Sequence, residues 1–222
     1  MNTYERLVRD RHSVRAFLPN PIPLATVQHI MTTARWAPSG ANLQPGHFWY
    51  LQGERRAHLS HALCAAFRAG VREQEEYDYF PQPMPMHLRK RQVSAAQALY
   101  GALGVERGDT QARAAQFEQN YRFFDAPVAL VVTIHRDFGS GGFMDLGMCL
   151  HSVMLAAQAQ GLATCAIGAL ASYPQLIKEC LGLADDQIAV CGLAMGQEDT
   201  QHRINQTRTQ RLDMADYFSV LC

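Results

Sequence analysis

Hydrophobic positions along this chain change period several times, and each change marks an element. Tyr4, Leu7 and Val8 recur at helical spacing, which predicts a short helix over Thr3–Asp10. Pro19, Pro21 and Pro23 then hold the chain extended. Leu24 to Trp36 reads as a second helix, apolar on Val27, Ile30, Met31 and Ala34. The aromatic run HFWYL, His47–Leu51, reads as a strand. Glu54 to Gly70, Arg89 to Leu103 and Thr110 to Phe124 are three further expected helices. Pro127 to Ile134 and Ile188 to Met195 are apolar at nearly every position, the pattern of strands covered on both faces. Between them, Phe143 to Gln160 is apolar on several faces, which suits a core or a subunit interface. Ser172 is expected to cap a short helix through Leu181, and Ala215 to Cys222 reads as strand-like.

Few strands and much helix, without a regular βαβ series, indicate an α+β fold. Val71 to Leu88 departs from every period: acids and aromatics (EQEEYDYF) run into PQPMPM. It reads as an excursion over the surface, because a linker is richer in Gly and Ser. With no repeat and no composition break, residues 1–222 are expected to form one domain, with 71–124 as its excursion.

Composition narrows the function classes. Lys+Arg and Asp+Glu are 20 each, so there is no basic excess for a nucleic-acid partner. A net charge near zero favours self-association. The N-terminus lacks a signal-peptide core and no apolar run is long enough to span a bilayer, so no membrane partner is expected. Six cysteines without a C-x-x-C pair suit reduced, buried thiols and a cytoplasmic location. No metal site is expected; Cys149 and His151 fall on different helix faces.

Two stretches carry candidate chemistry. RHSVRAF packs Arg11, His12, Ser13 and Arg15 into five positions; if extended, Arg11, Ser13 and Arg15 share one side and form an anion receptor. A solvated basic turn is the plainer reading. APSGANLQP places Pro38, Ser39, Gly40 and Asn42 where small residues and an amide suit the edge of a flat ligand. Arg203, Arg208 and Arg211, with Asn205, form a distant basic cluster that would complete a clamp. The turn Gly139 to Gly142 lacks phosphate-loop spacing, and Asp145 there is expected to complement a helix dipole. Nucleophiles are poorly supported, because apolar neighbours raise a thiol's pKa. If the protein is an enzyme, it points to a cofactor.

Taken in order, RHSVRAF, APSGANLQP, FFDAPVAL, DLGMCLHSVMLAAQAQGLATC, GLAMGQED and NQTRTQR resemble the FMN-dependent nitroreductase family over almost the whole chain. The middle segment is most similar to the subgroup acting on nitrobenzoate and nitrobenzene-type aromatics. The resemblance implies an α+β fold with a central, mostly antiparallel sheet flanked by helices, in an intertwined homodimer with FMN at the interface and exchange of the C-terminal strand. It implies that Arg11, Ser13 and Arg208 or Arg211 hold the FMN phosphate, helped by His12, with Arg15 at the pyrimidine edge. Pro38, Ser39, Gly40 and Asn42 would come from the partner subunit, and Asn120 would reach the pyrimidine edge. Ile167, Gly168 and Ala169 would run past the ring, with the Gly168 N–H near N5. Gly46 and Ala166 depart from the family's usual Trp and Pro.

The activity so implied is ping-pong, two-electron hydride transfer from NAD(P)H to a small nitroaromatic, with Gly168 and Arg15 as the catalytic pair. Tyr77, Tyr79 and Phe80 would stack on the substrate and Arg89 would pair with a carboxylate on it. Reductive dehalogenation, with Glu73, Glu76 and Tyr77 in a lid, enone or flavin reduction, and non-catalytic FMN binding or storage are the alternatives.

Overall fold

The computed structural model describes residues 1–221. Strands β1 (His47–Leu51), β2 (Val128–His135), β3 (Ala163–Ile167) and β4 (Gln187–Gly196) form one sheet in the order β1-β2-β4-β3, antiparallel at every pairing. Around it lie α1 (Thr3–Asp10), α2 (Leu24–Ala34), α3 (Gly53–Arg68), α4 (Met86–Leu103), α5 (Thr110–Glu118), α6 (Ser140–Ala159), α7 (Pro174–Leu181) and α8 (Met214–Tyr217).

The pleat explains why β2 and β4 are apolar throughout. Val128 and Leu130 of β2, with Leu193 and Met195 of β4, meet Val27 and Ile30 of α2 and Val153 of α6. The alternate residues Ala129, Val131 and Ala194 face Leu59 and Leu63 of α3 and Ile177 of α7. Each Leu or Val so buried contributes about 1.5–3 kcal/mol. Register slips once. Val132 pairs with Cys191 and Thr133 with Ala189, so Val190 is the extra residue of a β-bulge.

Several boundaries differ from expectation. The helix expected over Thr110 to Phe124 ends at Glu118; Phe123, Phe124 and Asp125 all take positive φ, held there by burial of the two phenylalanines. Helix α6 starts at Ser140, so Asp145 lies in its second turn and is buried, not at the helix end. Ser172 does not cap α7: its hydroxyl donates to Glu75, and Tyr173 occupies the cap position. The tail expected as a strand forms a single helical turn, α8, and then runs extended without a pairing partner among the described residues. Its Tyr217, Phe218 and Val220 are exposed, and Cys222 lies outside the described residues. Helix α6 buries one stripe, Leu146, Val153 and Ala157; Met144 is exposed and Met148 and Leu155 are half-buried. The all-round burial expected for α6 is therefore not met within one chain.

Candidate active site

Residues 13–17 are extended and sewn into the fold at two points. Ser13 bridges to Thr164 of β3, and Phe17 to Glu198 just beyond β4. Val14 is fully buried, so its alternation partners Ser13 and Arg15 face outward with Arg11. The far end of the chain meets them. Asn205 is buried and acts as the rivet: its Oδ1 accepts from the Arg15 N–H at 2.9 Å, and its Nδ2 donates to the carbonyls of Ala16 (2.8 Å) and Asp199 (2.9 Å). Arg11, His12, Ser13, Arg15, Arg208 and Arg211 thereby line one cavity of about 360 Å³, together with Thr207.

The electrostatics of this cradle are unsatisfied. Arg11 Nε and Thr207 Oγ1 are both buried without a hydrogen-bond partner. Burial lowers the Arg11 pKa, and the nearby Arg211 charge lowers it further. Burial likewise lowers His151 of α6, with Arg11 pushing the same way. The His12 ring faces the Asp10 carbonyl at 2.9 Å and the Glu198 carboxylate at 3.1 Å, so both its nitrogens are engaged within the protein. Only the His12 backbone remains for a ligand. Four guanidiniums around one cavity, with Arg11 Nε and Thr207 Oγ1 left without acceptors, suit a dianion such as a phosphate monoester.

Strand β3 leads away from the cradle to a second cavity. From Thr164, beside Ser13, to Gly168 is four residues, about 13 Å of strand. The second cavity, about 540 Å³, is lined by Ala166, Gly168, Cys191, Tyr77, Tyr79 and Phe143 among others. Ile167 is buried beneath, and Ala169 packs on the core. Gly168 opens a helical turn, Gly168–Ser172, so its N–H has no acceptor within that turn. A Cβ on Gly168 would lie 2.7 Å from the Tyr79 ring, so glycine is what lets Tyr79 close over this wall.

The exposed Asp78 is the one carboxyl among the described residues that line this wall. Burial raises the Tyr77 and Tyr79 phenols, and pushes the Cys191 thiol up to about 12. The Tyr77 hydroxyl donates to the Val190 carbonyl at 2.6 Å. The Glu73 carboxylate accepts from the N–H groups of Gln175 and Leu176, and Glu76 pairs with Lys178 through Oε1 while its Oε2 is buried without a partner; neither side chain lines the cavity. Phe80 packs edge-on against Tyr79 at 4.8 Å but does not line the cavity. Arg89 is exposed on the first turns of α4 and is not part of the wall either.

Pro38 and Ser39 line a separate cavity with Arg35, Asp145 and Gly46, which shares no residue with the Arg11–Arg15–Arg208–Arg211 cradle of the same chain. The loop is strained: Ala41, Asn42 and Gln44 all have positive φ. Asp145 holds it by accepting the Gly40 N–H at 2.9 Å, and Ser39 Oγ accepts from Gln44 N–H. At Gly46, φ is +100° and Leu146 fills the space beside Cα, which excludes a larger residue. Asn120 donates to the Phe117 carbonyl and lines neither the cradle nor the Gly168 cavity. Sequence reasoning missed the Glu198–His12 pair and the parts played by Asp145 and Thr207. Only Asp145, an acid within an apolar helix, carried a local signal.

Fold and site together define an α+β protein with a dianion cradle joined by one strand to an apolar, glycine-floored wall. Residues 8–197 match the model of the nitroreductase family, and the chain belongs to that family. It is 34% identical over 212 residues to "Chloronitrobenzene nitroreductase" of Comamonas testosteroni, covering 95% of this chain and 93% of the relative. It is 33% identical over 214 residues to "4-nitrobenzoate reductase" of Nocardioides sp. (strain LMS-CY), covering 95% and 87%. The crystal structure of FMN and NADPH-dependent nitroreductase NfnB from sphigopyxis sp. strain HMH superposes with a TM-score of 0.95 at 37% identity, covering 100% of both chains. The FMN-dependent NfnB from Mycobacterium smegmatis, in complex with NADPH, gives 0.93 at 26% identity, covering 99% and 98%.

Proposed function

We propose that the protein is an FMN-dependent NAD(P)H oxidoreductase that reduces small nitroaromatics, and that residues 1–222 work as one FMN-binding unit with 71–124 as its excursion. The observation that carries this reading is the buried, unpartnered Arg11 Nε in a cradle of four guanidiniums. A flavin phosphate supplies the missing acceptors, and β3 gives its ring a path from Ser13 to Gly168.

In this reading Arg11, Ser13 and Arg208 or Arg211 bind the phosphate, and Thr207 donates its orphaned hydroxyl. Arg15 places positive charge at the pyrimidine edge, and Gly168 offers its N–H toward N5. When bound, FMN supplies the redox chemistry, taking two electrons and a proton from NAD(P)H and passing them to a nitro group. The remaining work of the chain is to bind, orient and exclude water. Tyr77, Tyr79 and Cys191 hold their protons too tightly to serve as acids, which leaves water and the exposed carboxyl of Asp78 as the groups that could supply the proton.

The partner is a second copy of the chain. Support comes from the half-exposed apolar faces of α6, the exposed tail and the Pro38–Asn42 loop facing away from its own cradle. No described helix is long and apolar enough to cross a membrane; the free, described cysteines suit the cytoplasm.

A spectrum of the purified protein, then an anaerobic titration, tests the reading. A yellow protein bleached by NADPH or NADH, and reoxidised by nitrobenzene or 4-nitrobenzoate, is expected. A protein that stays colourless after incubation with FMN would refute it. A yellow protein that neither nucleotide bleaches would be a binding module.

A further inference from the structure

The acid-rich start of the excursion, residues 73–77, makes a continuous set of bonds to α7 and β4. Glu73 sits on the N-terminus of α7: Oε2 accepts from Gln175 N–H at 2.7 Å and Oε1 from Leu176 N–H at 3.2 Å. Glu75 accepts from the Ser172 hydroxyl at 2.8 Å. Glu76 Oε1 accepts from Lys178 Nζ at 2.5 Å, and Arg136 lies 3.6 Å from the same oxygen. Lys178 is only 5% exposed and also donates to the Asp185 carbonyl, so this ion pair is desolvated. The next residue, Tyr77, takes the carbonyl of Val190, the extra residue of the β4 bulge. Two residues on, Tyr79 rests on Gly168.

We propose that Lys178, Glu76 and Glu73 are positioning residues that fix the Tyr77–Tyr79 wall over Gly168, and so set how tightly a nitroaromatic is gripped there. The inference rests on the reading of this cavity as the reducing site. None of the three side chains lines the cavity. Their effect passes along the chain: Glu73 fixes the entry of the strap, Glu76 its middle, and Tyr77 carries the fix into the wall. The acids of EQEEYDYF thus hold the strap down and leave substrate contact to the aromatics. Release of the strap leaves the arginine cradle untouched, because no residue is shared between the two cavities.

The test compares FMN-loaded Lys178→Met, Glu73→Leu and Glu73→Gln with the wild type. Lys178→Met leaves Glu76 beside Arg136, so the carboxylate keeps a partner. Gln at position 73 keeps an oxygen for the α7 N–H groups; Leu does not. KM for nitrobenzene should rise about three- to ten-fold in Lys178→Met and Glu73→Leu. The kcat and the FMN Kd should stay near wild type, and Glu73→Gln should behave as wild type. Hydrogen exchange at Gln175 and Leu176 should speed up in Glu73→Leu only. Should Lys178→Met fail to fold, the Glu73 pair decides alone. Faster exchange at those amides with an unchanged KM would overturn the inference, as would equal KM values in the Leu and Gln variants. A wild-type holoprotein inactive on nitrobenzene would instead overturn the functional reading beneath it.

Discussion

Arg11→Met should move the FMN-free and FMN-loaded protein in opposite directions. In the free protein Arg11 carries a buried Nε with no partner and a neighbouring Arg211 that repels it. An unsatisfied, fully buried polar group costs about 1–3 kcal/mol. Arg11 is only half-buried, so screening reduces its cost to about 0.5–1 kcal/mol. Methionine keeps the apolar stem and removes the charge. The FMN-free protein should therefore gain that amount, which for a chain of this length is a Tm rise of about 1–4 °C. In the loaded protein the same change removes a charge-assisted bond to phosphate, about 1.5–3 kcal/mol, and the FMN Kd should rise about 10- to 150-fold. Thermal melts with and without FMN, and quenching of FMN fluorescence, measure both. Riboflavin, which lacks the phosphate, should bind wild type and variant alike. A variant that melts lower without FMN and yet holds FMN as wild type does would refute the cradle argument.

Three further outcomes follow from the same geometry. Gly168→Ala places a methyl against the Tyr79 ring, so it should leave FMN bound and raise the KM for nitroaromatics in steady-state assays. Asp145→Leu removes the acceptor of the Gly40 N–H and should weaken FMN binding about 5- to 30-fold by fluorescence titration, whereas Asp145→Asn, which keeps an oxygen there, should not. The Arg68 fork on Glu118, through two hydrogen bonds at 2.8 and 2.6 Å, holds that carboxylate below its ordinary range despite some desolvation. The pair ties α3 to α5. Its stabilisation is full above the unfolded-chain carboxylate range and is lost as pH falls through the lower, folded-state value. The acid limb of a Tm-against-pH curve should therefore flatten in Glu118→Gln.

Elements covered by periodicity were legible in the sequence, and elements set by distant contacts were not. β1 and α1 lie where the pattern places them; β2 starts and ends one residue later than the predicted run, and β4 extends its run by one residue at each end. β3 was not anticipated: ATCAI is short and follows the helix end at once, and it is a strand because β4 offers it an edge. The arginines of the cradle could be named, since charge clusters survive in one dimension. Asn205 could be named beside them, but not its part as their rivet, because it works through partners 189 and 190 residues away. The EQEE run shows the same limit. Its charge was visible, but its partners at Ser172 and on α7, about a hundred residues on, were not.

The separation between Arg15 and Asn205 also orders events during synthesis. Val14 meets Thr164 only after about three-quarters of the chain has been made, and Arg15 meets Asn205 only when nearly all of it exists. The sheet can be complete at Gly196, yet Arg208 and Arg211 are still to come. A nascent chain thus passes through a stage with a formed core and half a receptor, unable to retain a phosphate-bearing ligand. Cofactor capture is in consequence a late, post-assembly event, and a chain truncated just after Gly196 would mark the point before it becomes possible.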